Sequence, residues 1–249
     1  MKIYALGDIH LSFSQPVDPL KLGDVHTYKP MDKFGAEWRD HHVKIYNNWL
    51  NIVKEEDVVL MPGDFSWAMR LSEARFDLDF LGLLPGTIVG VPGNHDYWWQ
   101  SISQVREVLP PNVKLIQNDH YEVGEVAFCG SRGWVCPGAE YFDAHDLKIY
   151  RRELIRMENS LKSVSKSASP SGKDIIVLIH FMPTNELHEK NEFIELFQAY
   201  GVSTVVYGHF HGSASFRFKL PDYAWGIKFQ LASADYLNFT PVLIKEVHQ

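Results

Sequence analysis

The chain has 249 residues, of which 45% are apolar and 22% charged, with a formal net charge of −7. This is the profile of a globular protein that can bury a sizeable core, and a single α/β domain over 1–249 accommodates the length. The acidic balance speaks against sequence-independent binding to DNA or RNA, which rests on neutralising phosphates with Lys and Arg.

Met1-Lys2-Ile3-Tyr4-Ala5-Leu6 is too short an apolar run for a signal peptide and lacks a small-residue cleavage site. No stretch approaches the ~20 apolar residues of a membrane span. A cytoplasmic location is therefore the default, with no membrane partner expected. Cys129 and Cys136 form no CxxC pair and read as reduced thiols in or near the core.

Residues 2–7 read as a buried strand, and so do 57–62, 87–91, 174–179 and 202–207. Such β-branched, apolar runs suit central strands covered by helices on both faces. Helical spacing lies between them. It joins Trp38, His42, Ile45, Trp49 and Ile52, then Leu71, Ala74, Leu78, Leu81 and Leu84. It returns at Leu147, Tyr150, Leu154, Met157 and Leu161, and at Phe193, Ile194 and Phe197. Residues 12–34 form a long irregular segment, a length that in compact domains often marks a functional loop.

Residues 113–130 read as strands with a hairpin-like break near Asn118-Asp119. Lys162–Lys173, rich in Ser and Lys, reads as an exposed loop. At the C-terminal end 213–219, 225–232 and 241–246 read as strands, with turns around Pro221-Asp222 and Asn238. The order fits an α/β fold of two packed mixed sheets with helices outside.

The unusual residues collect at the strand ends. They are Gly7-Asp8-Ile9-His10, Gly63-Asp64, Gly93-Asn94-His95-Asp96, His180, and Gly208-His209-Phe210-His211. Ligands in open α/β sheets gather at the carboxyl ends of strands. In an extended chain residues two apart face the same way, so Asp8 and His10 would reach one metal, and His209 and His211 would point together.

The candidate ligands are Asp8, His10, Asp64, Asn94, His180, His209 and His211. Carboxylate, imidazole and amide oxygen without thiolate suit Mn²⁺, Fe or Zn²⁺ better than a structural zinc site. Seven ligands are too many for one divalent ion and enough for two, if Asp64 bridges. Two ions ~3.5–4 Å apart form a clamp for displacement at phosphorus.

These motifs, in this order from Asp8 to His211, resemble those of the calcineurin-like metallophosphoesterase superfamily. The resemblance implies a four-layer sandwich of two mixed β-sheets flanked by helices. It implies hydrolysis of a phosphomonoester or phosphodiester by a metal-bridging hydroxide. One ion would be held by Asp8, His10, Asp64 and His211, the other by Asp64, Asn94, His180 and His209. His95 would stabilise or protonate the leaving oxygen, and Asp96 would orient His95 and hold it cationic.

Gly63-Asp64-Phe65-Ser66-Trp67 lacks the Asp-Arg-Gly continuation of the Ser/Thr protein phosphatases, and Asp96 stands where they carry Glu. The chain looks more like the small bacterial and archaeal phosphohydrolases and phosphodiesterases of the superfamily, acting on a small or medium substrate. The alternatives are a nuclease, which the charge balance disfavours, and an inactive metal-binding interaction module.

Arg70 and Arg132 each read either as a phosphate contact or as a surface or ion-paired arginine. Trp67, Tyr97, Trp98 and Trp99 read as core packing ahead of a stacking wall for substrate. His26, His41, His42, His120, His145, His188 and His248 match no motif and read as surface or hydrogen-bonded residues.

Overall fold

The computed structural model describes residues 1–166 and 172–247. The middle of the Ser/Lys-rich stretch and His248 lie outside the described residues. Lys162 and Ser163, expected in that loop, instead end a helix.

The strands are β1 (Lys2–Ala5), β2 (Val58–Met61), β3 (Thr87–Gly90), β4 (Val113–Leu115), β5 (His120–Val123) and β6 (Val126–Ser131). They continue as β7 (Asp174–Ile179), β8 (Val202–Tyr207), β9 (Tyr223–Ala224), β10 (Ile227–Leu231) and β11 (Val242–Glu246). The helices are α1 (His41–Ile52), α2 (Leu71–Leu81), α3 (Ile102–Glu107), α4 (Ala144–Ser163), α5 (Glu192–Ala199) and α6 (Ser213–Phe216).

One sheet runs β11-β1-β2-β3-β4 and the other β5-β6-β7-β8-β10-β9. Both are mixed. β1 to β4 pair in parallel with β11 antiparallel at the edge. β6, β7, β8 and β10 pair in parallel between antiparallel β5 and β9.

The period-two alternation of each strand sorts side chains into three cores. Ile3, Ala5, Leu60 and Val89 meet Phe128, Ile176, Leu178 and Val206 between the sheets. Tyr4, Val59, Met61 and Ile88 turn outward to Ile45, Trp49 and Leu78 of α1 and α2. Val177, Ile179 and Val205 turn outward to Tyr150, Met157, Phe193 and Phe197 of α4 and α5. Burial on both faces explains why these strands read as continuous apolar runs. The result is a four-layer helix–sheet–sheet–helix sandwich.

Helix starts follow their caps. The Asp143 carboxylate accepts from His145 N and Asp146 N, and Asp146 reaches back to Asp143 N, a capping box that opens α4. The Asn191 side chain accepts from Phe193 N and Ile194 N at the start of α5.

Several boundaries differ from the sequence reading. The break at Asn118-Asp119 is a crossing from one sheet to the other, because β4 pairs with β3 while β5 pairs with β6. The stretch 213–219 holds α6 where a strand was expected. Its alternating pattern is overridden because the Asp235 carboxylate accepts from Gly212 N at 2.8 Å and turns the chain there. The β9–β10 turn falls at Trp225-Gly226, both at positive φ, at the start of the stretch 225–232 that was expected to be strand throughout. Trp38 sits in a 3₁₀ turn, Ala36–Trp38, ahead of α1, and α2 stops short of Leu84. α3 has no counterpart in the periodicity.

Candidate metal centre

The two sheets meet where their strands end. Leu6 N donates to Leu60 O at 3.0 Å, and Gly7 N donates across the seam to Ala232 O at 2.7 Å. Asp8 N then donates to Gly63 O at 3.0 Å and His10 N to Asp64 O at 3.0 Å. These bonds interlock the loops after β1 and β2.

They also force an unusual backbone. Asp8 (φ 53), His10 (φ 47), Asp64 (φ 53) and His209 (φ 74) all lie in the left-handed region. Asp and His are among the few non-glycine residues enriched there. The extended geometry expected for Asp8 and His10 is therefore wrong, since turned loops, not a strand, aim both side chains inward. His209 and His211 were expected to point together. They part instead, each joining a different group of ligand atoms.

The first group holds His10, His211 and Asp8. His10 Nε2 lies 3.1 Å from His211 Nε2, and Asp8 Oδ1 lies 3.7 Å from His211 Nε2. The second holds Asn94, His180 and His209. Asn94 Oδ1 lies 2.6 Å from His180 Nε2 and 2.9 Å from His209 Nδ1. Asp64 Oδ2 stands between the groups, 3.6 Å from His10 Nε2 and 3.5 Å from His180 Nε2. Asp8 also lies 3.7 Å from His180, but at Nδ1. That nitrogen faces Pro62 O at 2.9 Å, so it carries the proton and leaves Nε2 as a bare lone pair.

His211 is oriented in the same way by a residue the motifs do not contain. Its Nδ1 lies 3.0 Å from Asp235 Oδ1. Asp235 follows the end of β10, a further strand end that could have drawn notice, but no histidine or glycine marks it.

Lone pairs that converge this closely repel unless cations lie among them. Burial pushes Asp8 up to about 8 and Asp64 up to about 7. Burial also lowers His180 to about 3 and holds His10 and His209 well below the usual imidazole range. For His211, burial pulls down but the Asp235 hydrogen bond and the Asp8 charge prevail, and its pKa rises. The neutral imidazoles of His10, His180 and His209, beside the buried carboxyls of Asp8 and Asp64, are a donor set suited to divalent cations. The residues therefore fit such ions.

Two glycines let the loops come this close. A Cβ on Gly93 would strike the Asp64 carboxylate, and one on Gly208 would strike the Asp8 carboxylate.

Asp96 departs from its expected place. Its carboxylate accepts from Asp64 N at 2.9 Å, Phe65 N at 2.9 Å, Ser66 N at 3.2 Å and Gly93 N at 2.7 Å, and from Trp98 Nε1 at 2.9 Å. Five donors saturate it, and it makes no hydrogen bond to His95. It fixes the Asp64 loop instead. His95 N donates to Asp64 Oδ1 at 2.8 Å, while His95 Nδ1 is buried without a partner.

Arg132 lies beside the centre. Its carbonyl accepts from His180 N at 3.1 Å, its guanidinium stacks over Trp134, and its charge offsets a small part of the rise that burial imposes on Asp64. It also pairs at 3.8 Å with buried Glu153, which takes Arg156 at 2.8 Å. Arg70 is exposed ahead of α2 and makes no ion pair among the described residues.

Trp67 faces the centre, with its ring 4.7 Å from that of His10. Trp98 is fully buried, Trp99 donates to Gln117, and Tyr97 is exposed. Of the unmatched histidines, His41 and His42 are buried beside the centre, with His42 Nε2 on Leu22 O. His26 pairs with Ser14, His120 with Ser163, and His188 with Phe218 O, while His145 is exposed. Both cysteines are free and buried, and burial raises both thiols, Cys129 to about 12.

No helix among the described residues is long and apolar enough to cross a membrane. No curated protein matches the chain in sequence. Among solved structures it resembles the phosphopantetheinyl hydrolase of Mycobacterium tuberculosis, with 13% identity, TM-score 0.55, and coverage of 100% of this chain and 97% of that one. A Thermus thermophilus protein aligns with 12% identity and TM-score 0.50, covering 98% and 97%. A protein of unknown function from Aquifex aeolicus aligns with 15% identity and TM-score 0.48, covering 97% and 95%. At these identities the likeness concerns the fold alone. The family model for calcineurin-like phosphoesterases matches residues 1–213, a span that takes in every strand-end motif described above. The chain belongs to the calcineurin-like phosphoesterase family and is a metal-dependent phosphoesterase.

Proposed function

We propose that the chain hydrolyses a phosphomonoester or phosphodiester at two adjacent divalent ions. The first would be held by Asp8, His10, Asp64 and His211, and the second by Asp64, Asn94, His180 and His209. The observation that carries this reading is the position of Asp64 Oδ2, within 3.6 Å of one imidazole nitrogen and 3.5 Å of another in two separate groups. Bound there, such ions activate water as a nucleophile at neutral pH and neutralise charge at the phosphoryl group.

The chain's own residues prepare that chemistry. Pro62 O and Asp235 fix the tautomers of His180 and His211, and Asp96 holds the Asp64 loop. His95, tied through its amide to Asp64 and free at Nδ1, is the group to meet the leaving oxygen. Arg132, whose charge reaches Asp64, would supply the contact to a phosphoryl oxygen. The substrate is small or medium in size, given the net charge of −7.

A nuclease reading has one feature in its favour, the basic stripe of Lys148, Arg151, Arg152 and Arg156 lining one hollow on α4. Turnover of Mn²⁺-loaded protein on mono- and diesters, nucleotides and nucleic acids separates the readings. Full turnover with a single ion per chain, by metal analysis of the active protein, would sink the two-ion reading. Tight, steeply salt-dependent binding to generic DNA or RNA would favour the nuclease.

A further inference from the structure

The segment between β1 and α1 brings one cation to the rim of the metal centre, and nothing in the proposed chemistry uses it. Lys29 Nζ lies 3.1 Å from the centroid of the Trp67 ring. That ring stacks on His10 at 4.7 Å with an interplanar angle of 21°, and lies 4.3 Å from the ring of His95. Lys29 is thus one ring removed from a proposed ligand and from the proposed leaving-group residue.

The placement is built in. Lys29 N donates to Ser12 Oγ at 3.3 Å, Ser12 Oγ donates to Lys29 O at 3.0 Å, and Tyr28 N donates to Ser12 O at 3.0 Å. Ser12 follows His10 by two residues, so one stretch of chain positions both ligand and cation. Trp67 is itself fixed, since Nε1 lies 3.0 Å from Met31 Sδ and the residue is 9% exposed.

Among the described residues the Lys29 ammonium has neither a carboxylate within ion-pair distance nor a hydrogen-bond acceptor. An unpaired cation beside divalent ions is repelled by them. Its placement becomes favourable when an anion lies near, as a bound substrate would provide. The aromatic face alone supplies a weak seat and no counter-charge.

We infer that Lys29, seated on Trp67, is an anion subsite for a second negative group carried by the leaving-group portion of the substrate. The matching substrate class is a phosphate ester whose leaving group bears a carboxylate or a further phosphate. The inference rests on the phosphoesterase reading above and narrows it. His95 and Lys29 flank the same tryptophan ring, so a leaving group that meets His95 extends toward Lys29.

The metal-loaded full chain is assayed on phenyl phosphate and on 3- and 4-carboxyphenyl phosphate, whose leaving groups are similar in basicity but differ by one charge. Benzylphosphonate and 4-carboxybenzylphosphonate, titrated calorimetrically, give the same comparison without turnover. The expected result is a preference of about tenfold or more for the carboxylate-bearing member in both kcat/KM and Kd. Lys29→Met brings that ratio to within about twofold of unity, and Lys29→Arg retains most of it.

Equal affinity of the wild-type protein for both phosphonates would overturn the subsite. So would a Lys29→Met variant that weakens both members equally, the signature of a residue that only packs on Trp67. Failure to turn over any ester with both ions bound would count against the proposed reaction, while the phosphonate ratio would still decide on Lys29.

Discussion

Asp64 is the residue whose loss should reach furthest. One of its oxygens lies between the two ligand groups and the other accepts from His95 N. Asp64→Asn is expected to weaken both ion sites together, whereas His10→Ala should spare the group around Asn94. Calorimetric titration with Mn²⁺ showing two native-affinity sites in Asp64→Asn would refute the bridge. His95 calls for a different comparison. A positioned proton donor is worth typically ~10²–10⁴-fold, and an alkoxide needs it far more than a nitrophenolate. His95→Asn should therefore lose much more kcat/KM on an alkyl phosphate than on a nitrophenyl phosphate, with both ions retained. Equal losses at full metal occupancy would exclude the proton-donor role. Asp96 illustrates what adjacency in sequence conceals. Its neighbour His95 made a catalytic pair plausible, yet neighbouring side chains diverge, and Asp96 finds five donors on the far side. Asp235 was illegible for the opposite reason, because its contact with His211 depends on where β10 ends in space.

At the scale of elements, the legible parts were those whose burial is symmetrical. β7 and β8 lie under helices on one face and the other sheet on the other, so their apolar runs stand out. α6 follows a turn set by a tertiary hydrogen bond from Gly212 N to Asp235, which no local periodicity records. The turn after β8 offers a direct test. Gly208→Ala would drive a Cβ into the Asp8 carboxylate, so it should cost about 1–3 kcal/mol and lower the metal content. Gly23→Ala, with nothing within 4 Å, is the control and should stay within about 0.5 kcal/mol. α2 carries a second test through Asp77, which accepts from Phe13 N at 2.7 Å and from Ser66 Oγ and so ties the long segment to the sheet. Burial foremost, and the Asp96 charge with it, raises Asp77 from 3.8 to about 7. The folded protein therefore holds this proton between about pH 4 and pH 7 while the unfolded chain has lost it. Its contribution to stability is full below pH 4 and fades as the pH rises through 7, by at most on the order of 4 kcal/mol. Asp77→Asn keeps the acceptor for Phe13 N, turns the Ser66 bond round so that the amide NH2 donates to Ser66 Oγ, and does not titrate. Its urea midpoint, measured metal-free at pH 5 and pH 8, should fall less than that of the wild-type protein, and an equal fall would disprove the assignment.

Across the whole molecule, the proposed ligands divide by sheet. Asp8, His10, Asp64 and Asn94 follow strands of the first, and His180, His209 and His211 follow strands of the second. The backbone joins the two at that end through Gly7 N to Ala232 O, and His209 N reaches the Asp8 carboxylate at 3.0 Å. Ions bound there would tie both halves, adding about 2.7 kcal/mol for an ion present at a hundred times its Kd. Amide hydrogen exchange should show Asp8, His10 and His209 protected in the loaded protein and much faster after chelation, with the β2 and β7 amides little changed. Uniform exchange in both states would disprove this coupling. A seam that the proposed ions would close would make metal supply a matter of survival as well as of rate. Chains stripped of metal would open first where a protease can enter, so in a starved cell the idle copies of the enzyme would be the ones cleared, leaving a smaller but fully armed population.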